Sequence, residues 1–269
     1  MRAAVLGSPV AHSLSPVLHR AAYAHLGLRW RYDAIECDAG QLAGFVASLT
    51  SDWAGLSLTM PLKAAVLSMA DEVDDASRHA GAANTLVLRE GRRSAANTDV
   101  PGMVAALAER GVRAPDGTAP AALLGAGSTA RSAVVALAGA GWRHVEVVAR
   151  RQSAAAELVA VGSALGVRVD VRDWSAAPSV LADGLVVSTV PRGAADALAV
   201  AVPTEPGVLF DVLYHPWPTP LAAAWDRAGG TVVGGLDLLV HQAVGQVRLM
   251  TGTRVPDDEL VAVLRAAVA

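Results

Sequence analysis

The sequence predicts an α/β protein in two parts: an N-terminal α/β domain, then a doubly wound parallel-sheet domain, with a cleft between them. Two observations carry this expectation. From Ala121 onward, short apolar runs alternate with helical stretches, the pattern of a parallel sheet covered by helices. Before Ala121 the texture differs, with a first loop, Gly7 to Pro16, rich in hydroxyls and prolines. A length of 269 residues accommodates two domains. The expected division is 1–100 for the first domain, completed by helices within 236–269, and 101–235 for the second.

Taken in order, Arg2 to Leu6 is a short apolar strand that stops at Gly7-Ser8-Pro9. The next segment, Val10 to Pro16, is rich in hydroxyls. Ser15 then Pro16 reads as an N-cap followed by a first helical position. Val17, Leu18, Ala21, Ala22 and Leu26 continue at helical spacing. Trp30 to Ile35 is a strand, Gln41 to Leu49 a helix and Gly55 to Leu58 a strand. A helix is expected to start near Pro61, placing Lys63 in its first turn at the positive end of the helix dipole. Thr85 to Leu88 and Ser94 to Thr98 form a hairpin joined through Arg89-Glu90-Gly91-Arg92. Asp99 to Arg110 is a helix, and the polar stretch 113–120 is a connector.

In the second half, strands are expected at 121–124, 145–148, 167–171, 185–189, 207–211 and 231–233. Helices are expected at 131–140, 153–165 and 219–228. A long helix runs from Leu236 to about Thr251, and another from Asp257 to Val268.

Composition excludes several classes. The chain is 53% hydrophobic, so a sizeable core is available, and its net charge is −3, which argues against general nucleic-acid binding. Cys37 is the only cysteine, so neither an internal disulfide nor a cysteine-rich metal site is expected. No metal site is expected from His, Asp or Glu either. The apolar stretch Ala3 to Leu6 is too short for a signal peptide, and no run reaches the roughly 18 residues of a membrane span. A cytoplasmic protein, monomer or homodimer, is the expectation.

Two residue types are scarce. Lys63 is the only lysine among 22 basic residues. Arginine stays protonated, whereas lysine can give up and regain a proton, so a lone lysine suggests acid/base chemistry. An accidental surface lysine is the plain alternative. The two asparagines, Asn84 and Asn97, both stand in the string Ala-Ala-Asn-Thr, and the second string runs into Asp99. Asparagine offers a donor and an acceptor from one amide, which suits a hydroxyl-rich ligand. It also suits turns. The hydroxyls of Ser13 and Ser15 at a helix start would suit a carboxylate, or serve as ordinary caps.

Gly125-Ala126-Gly127-Ser128-Thr129-Ala130 follows a strand and opens a helix, the context a Rossmann dinucleotide fingerprint needs. The first glycine permits the tight turn, and the second lets the backbone approach the pyrophosphate. The next strand ends in Ala149-Arg150-Arg151, with no carboxylate to hold the ribose of NAD. The arginine pair suits the 2′-phosphate of NADP instead.

Together these motifs resemble the shikimate dehydrogenase family over nearly the whole chain. Gly7, Pro9, His12, Ser13, Ser15, Pro16 and His19 match the family's Gly-x-Pro-x-x-His-Ser-x-Ser-Pro-x-x-His. Gly55 through Lys63 is similar to its Gly-x-Asn-Val-Thr-x-Pro-x-Lys, with Ser57 standing where the family has asparagine. Gly81-Ala82-Ala83-Asn84-Thr85 and Asn97-Thr98-Asp99-Val100-Pro101-Gly102 match two further motifs. Ser188-Thr189-Val190-Pro191, Asp211-Val212-Leu213-Tyr214 and the segment from Gly235 to Gln242 complete the likeness. The family's usual Asn-Arg-Thr is here Ala149-Arg150-Arg151, so the adenosine side departs from the pattern.

The resemblance implies an N-terminal substrate domain, a Rossmann-type NADP domain, and hydride transfer between NADPH and the C3 carbonyl of 3-dehydroshikimate, giving shikimate. It implies Lys63 and Asp99 as the catalytic pair. Ser13 and Ser15 would read the substrate carboxylate, and Thr59, Asn84, Asp99, Tyr214 and Gln242 the rest of the substrate. Gly125 through Ala130, Arg150, Arg151, Thr189, Val212 and Gly235 would hold the cofactor. Relatives acting on quinate or an amino analogue, or preferring NAD, are the nearest alternatives. A non-catalytic nucleotide-binding module is the alternative from another class, and it would be expected to lack Lys63 or Asp99.

Overall fold

Five consecutive buried residues, Ala3 to Gly7, make up most of strand β1 (Arg2–Gly7). A strand covered on both faces reads as a continuous apolar run rather than as an alternation. In this computed structural model, which describes residues 1–117 and 119–269, β1 lies parallel to β2 (Arg31–Glu36) on one side and to β3 (Trp53–Leu58) on the other. Helix α1 (Ser15–His25) joins β1 to β2, and α2 (Leu42–Ala47) joins β2 to β3. Beyond β3 come a two-residue strand β4 (Glu72–Val73), the short helix α3 (Asp75–Ala80), and the antiparallel hairpin of β5 (Thr85–Arg89) and β6 (Arg92–Ala96). Glu90 and Gly91 both have positive φ, the geometry that a two-residue hairpin turn demands. The sheet order is β2-β1-β3-β5-β6-β4, with β5 antiparallel to both its neighbours. Helix α4 (Asp99–Glu109) leads out of it.

The second sheet is parallel throughout. In chain order its elements are β7 (Ala121–Leu124), α5 (Ser128–Gly139), β8 (His144–Ala149), α6 (Gln152–Ala164), β9 (Arg168–Asp173), α7 (Ala177–Val180), β10 (Leu185–Ser188), β11 (Val208–Asp211), α8 (Pro220–Arg227) and β12 (Thr231–Gly234). Their spatial order is β12-β11-β10-β7-β8-β9. The direction of winding reverses between β7 and β10, and ligands of open parallel sheets bind at the carboxyl ends of the strands at such a reversal.

Helices α9 (Gly235–Thr251) and α10 (Asp257–Ala266) end the chain. Leu18 and Ala22 of α1 pack with Val240, Ala243, Val244 and Val247 of α9 and Leu260, Val261 and Leu264 of α10. Each fully buried leucine here contributes roughly 2 kcal/mol. The chain divides into two units, Met1–Gly102 with Leu239–Ala269, and Met103–Leu238. Among the described residues no helix is long and apolar enough to cross a membrane.

Two local expectations fail. No α-helix starts at Pro61. Leu62 N–H bonds back to Thr59 O at 2.8 Å, and a 3-10 turn follows at Ala65–Met69. The Lys63 carbonyl is taken at 2.7 Å by the N–H of Ala83, which removes it from any helical ladder. Ser15 is not an N-cap either. It is the first helical residue, Leu14 occupies the cap position, and the Leu14 carbonyl accepts from Val17 and Leu18. The connector 113–120 has no regular structure over its described residues, and Thr118 lies outside them.

Candidate active site

Lys63 is held by the turn that leaves β3. Thr59 N–H bonds to Leu6 O at 2.9 Å, and the Lys63–Ala83 bond ties the other end of the turn to the residue before Asn84. The side chain reaches Asp99, with Nζ to Oδ2 at 2.6 Å. Both groups are largely withdrawn from water, at 15% and 8% side-chain exposure. Asp99 begins α4, where a carboxylate is favoured by the helix dipole. Asn97 Oδ1 accepts from the N–H groups of Asp99 and Val100, so this asparagine shapes the helix start.

Asn84 joins the pair from the other side. Its Nδ2 donates to Asp99 Oδ1 at 2.8 Å and lies 3.3 Å from Gln242 Oε1. Its Oδ1 accepts from Thr98 N at 2.9 Å and from Thr85 Oγ1 at 2.9 Å. Gln242 Nε2 donates to Leu239 O within α9. Both carboxylate oxygens of Asp99 are therefore engaged, one by an ammonium and one by an amide. The arrangement presents a proton donor held in place by a buried carboxylate, with two amides beside it.

Lys63, Asn84, Asp99 and Gln242 are thus joined directly. Thr59 stands on the same turn, its methyl packed so closely on Gly7 that a Cβ there would lie 2.2 Å away. Ser13 and Ser15 form a separate pair, Ser13 Oγ accepting from Ser15 N at 3.2 Å. The Ser15 carbonyl meets His19 Nδ1 at 3.0 Å. Burial lowers the His19 pKa to about 4, so the ring is neutral, and the accepting carbonyl assigns the proton to Nδ1. Tyr214 belongs to the second unit, on the segment after β11.

The cofactor candidates all lie in the second unit, Gly235 as the first residue of α9. Gly125 has φ +109, and a Cβ there would lie 2.7 Å from Thr189 Oγ1. Thr189 bonds Leu124 O through both its N–H and its hydroxyl, so β7 and β10 are locked together where the winding reverses. Gly127 is the N-cap of α5, and the space a Cβ would fill is open. Ala126 lies between these glycines, Ser128 and Thr129 open the helix, and Ala130 is fully buried under it. Arg150 and Arg151 are exposed past the end of β8, and β8 ends in Ala149 rather than a carboxylate. Val212 N–H bonds to Ser188 O, and a Cβ on Gly235 would meet Val212 O at 2.2 Å. Small residues, the backbone N–H groups of a helix start and two exposed guanidinium groups fit a phosphate-bearing dinucleotide with a 2′-phosphate. Among the described residues no cluster of His, Cys, Asp or Glu could hold a metal ion.

Four buried polar residues support the site without having been given a role from the sequence: Ser57, Thr85, Thr98 and Gln246. The available signal was a hydroxyl inside an apolar strand and a second glutamine one turn after Gln242.

A parallel sheet of this order, with a glycine turn at the winding reversal, together with a buried Lys–Asp pair, defines a dinucleotide-dependent oxidoreductase. The family model described as the shikimate dehydrogenase substrate-binding domain matches residues 5–86. Shikimate dehydrogenase (NADP(+)) of Brucella abortus strain S19 is 35% identical over 90% of this chain and 86% of its own. The solved shikimate dehydrogenase of Mycobacterium tuberculosis is 41% identical, covers 98% of this chain and 99% of its own, and superposes with a TM-score of 0.89. The Thermus thermophilus enzyme, solved with NADP(H) and shikimate, is 33% identical over 99% of both chains, at a TM-score of 0.84. The chain belongs to the shikimate dehydrogenase family.

Proposed function

We propose that this protein catalyses the reversible NADPH-dependent reduction of 3-dehydroshikimate to shikimate, a step toward chorismate and the aromatic amino acids. The observation that carries the reading is the 2.6 Å contact between Lys63 and Asp99, flanked by the amides of Asn84 and Gln242. Reducing a ketone needs a hydride on carbon and a proton on oxygen. Bound NADPH supplies the hydride, which side chains cannot. Lys63 donates the proton to the carbonyl oxygen in reduction and takes it back in oxidation. Asp99 holds the ammonium in place and accepts from a substrate hydroxyl. Asn84, Gln242, Thr59 and Tyr214 read the remaining polar positions of the ring, and Ser13 and Ser15 its carboxylate.

The first domain, completed by the C-terminal helices, is the substrate-binding part, and the Rossmann-type domain holds NADP. Gly125 through Ala130 receive the pyrophosphate, Arg150 and Arg151 the 2′-phosphate, and Thr189, Val212 and Gly235 border the nicotinamide side. Arg150 and Arg151 are exposed, and the absence of a carboxylate after β8 favours NADP over NAD. The protein works as a monomer or homodimer in the cytoplasm, consistent with a single buried cysteine.

The test is NADPH formation from shikimate and NADP+ by purified protein, with quinate and NAD+ run in parallel. Shikimate-dependent turnover that prefers NADP+ supports the reading. Turnover with quinate alone overturns the substrate assignment.

A further inference from the structure

We propose that Gln246 is a positioning residue for the Lys63–Asp99 pair, acting through Asn84; the inference rests on the dehydrogenase reading above. Gln246 is 1% exposed and lies one helical turn after Gln242, so α9 directs both amides to the same side. Gln242 meets the side chain of Asn84, whereas Gln246 meets its backbone. Gln246 Nε2 donates to Asn84 O at 3.0 Å and to Thr85 Oγ1 at 3.1 Å. Its Oε1 accepts from Ser57 Oγ at 2.8 Å, and Ser57 in turn accepts from the Tyr32 phenol at 2.6 Å.

The sense of donation is the same along the whole chain of bonds. Tyr32 donates to Ser57, so the Ser57 proton goes on to Gln246 Oε1. That end of the amide is then the oxygen, and both amide hydrogens face Asn84 O and Thr85 Oγ1. With its oxygen occupied, Thr85 directs its own proton to Asn84 Oδ1 at 2.9 Å. Thr98 N–H also reaches Oδ1, so the Asn84 NH2 is turned toward Asp99 Oδ1. A flipped or displaced Asn84 would set an amide oxygen against the carboxylate. Every member from Tyr32 to Asp99 is buried, where an unmade hydrogen bond is costly.

The upstream end reaches the other anchor. Burial pushes the pKa of the Tyr32 phenol well up, so the phenol stays a donor, and the neighbouring His19 Nδ1 donates to the Ser15 carbonyl at 3.0 Å. Tyr32 also stacks on His19 at 4.0 Å between ring centroids. Ser57, the position where the family pattern carries asparagine, is the hydroxyl through which Tyr32 and Gln246 are joined. The same line of contacts therefore runs from the carboxylate-reading serines to the proton-transfer pair.

The experiment compares wild type, Gln246→Met, Thr85→Val and the double variant in initial-rate kinetics with shikimate and NADP+. Thermal melting confirms that each is folded. Gln246→Met is expected to lower kcat about 10- to 100-fold, with the KM for NADP+ unchanged, because the lost bonds act on Asn84 and not on the cofactor. Thr85→Val is expected to lower it comparably. The double variant should be within about twofold of the worse single variant, since both act through the same Asn84 contact. Effects that multiply would mean separate structural contributions and would overturn the proposal, as would Gln246→Met with wild-type kcat. If Gln246→Met does not fold, Thr85→Val with wild-type kcat overturns it alone. Wild type without shikimate turnover sinks the functional reading itself, which separates the two failures.

Discussion

Lys63 Nζ stands 2.6 Å from Asp99 Oδ2, and the two residues come from different elements 36 positions apart. One is delivered by the turn after β3 and the other by the first turn of α4. Pairing two charges at 15% and 8% exposure is costly in desolvation, and the pair holds because Asn84 satisfies the second carboxylate oxygen. The carboxylate of this buried ion pair also faces the amide of Asn84, and the proton transfer proposed above would give the pair its role.

Asp99→Asn keeps the shape of the side chain but removes the charge that holds the ammonium. We expect kcat for shikimate oxidation to fall by about 10²- to 10⁴-fold. The KM for NADP+ should not change, because none of the residues proposed to hold the cofactor is altered. Initial rates at saturating NADP+ check this.

Arg150 and Arg151 are exposed with no acidic residue at the end of β8. Replacing both with alanine removes charge-assisted donors to a 2′-phosphate. The KM for NADP+ is expected to rise about 10- to 100-fold, while the KM for NAD+ stays within a factor of about two. An equal rise for both cofactors would place the 2′-phosphate contacts elsewhere.

Gly125 combines φ +109 with a Cβ position 2.7 Å from Thr189 Oγ1. Gly125→Ala is therefore strained twice, by backbone conformation and by contact. It is expected to cost about 1–3 kcal/mol of stability and to weaken NADP+ binding. Denaturant unfolding and a cofactor titration by fluorescence read the two effects separately.

Asp183 gives a pH dependence with a definite sign. Burial, and then the nearby Glu146 carboxylate, raise its pKa from 3.8 to about 6. The folded state holds this proton more tightly than the unfolded state. Its contribution is thus fully present below pH 3.8 and is lost as pH rises to about 6 and beyond. Asp183→Asn should therefore gain stability over wild type above about pH 6, by about 1 kcal/mol after allowing for the solvent that reaches the side chain, and gain little near about pH 4. Melting of both proteins across about pH 4–8 tests it, and an equal gain at every pH would rule the titration out.

Much of this was legible in the chain itself. The hairpin announced itself by Glu90-Gly91 between two strand-forming runs, and the glycine turn by its place between β7 and α5. The alternation after Ala121 led to the parallel sheet. What local pattern missed was decided by distant partners. The helix expected at Pro61 does not form because Ala83, twenty residues on, takes the Lys63 carbonyl. β4 has two residues, too few for any periodicity to register. The Ser57–Gln246 bond joins residues 189 positions apart, and nothing in either neighbourhood signals the other. The helix start at Ser15 was displaced by one residue, the usual resolution of a cap read from sequence.

The central claim is that Lys63 is the proton-transfer group, and the most direct measurement is NADPH formation by Lys63→Arg beside wild type. Arginine keeps the positive charge near Asp99 but cannot release its proton. The account predicts that kcat falls by at least about 10²-fold while the variant still binds NADP+ and melts as a folded protein. A Lys63→Arg variant that turns over shikimate at the wild-type rate would contradict it.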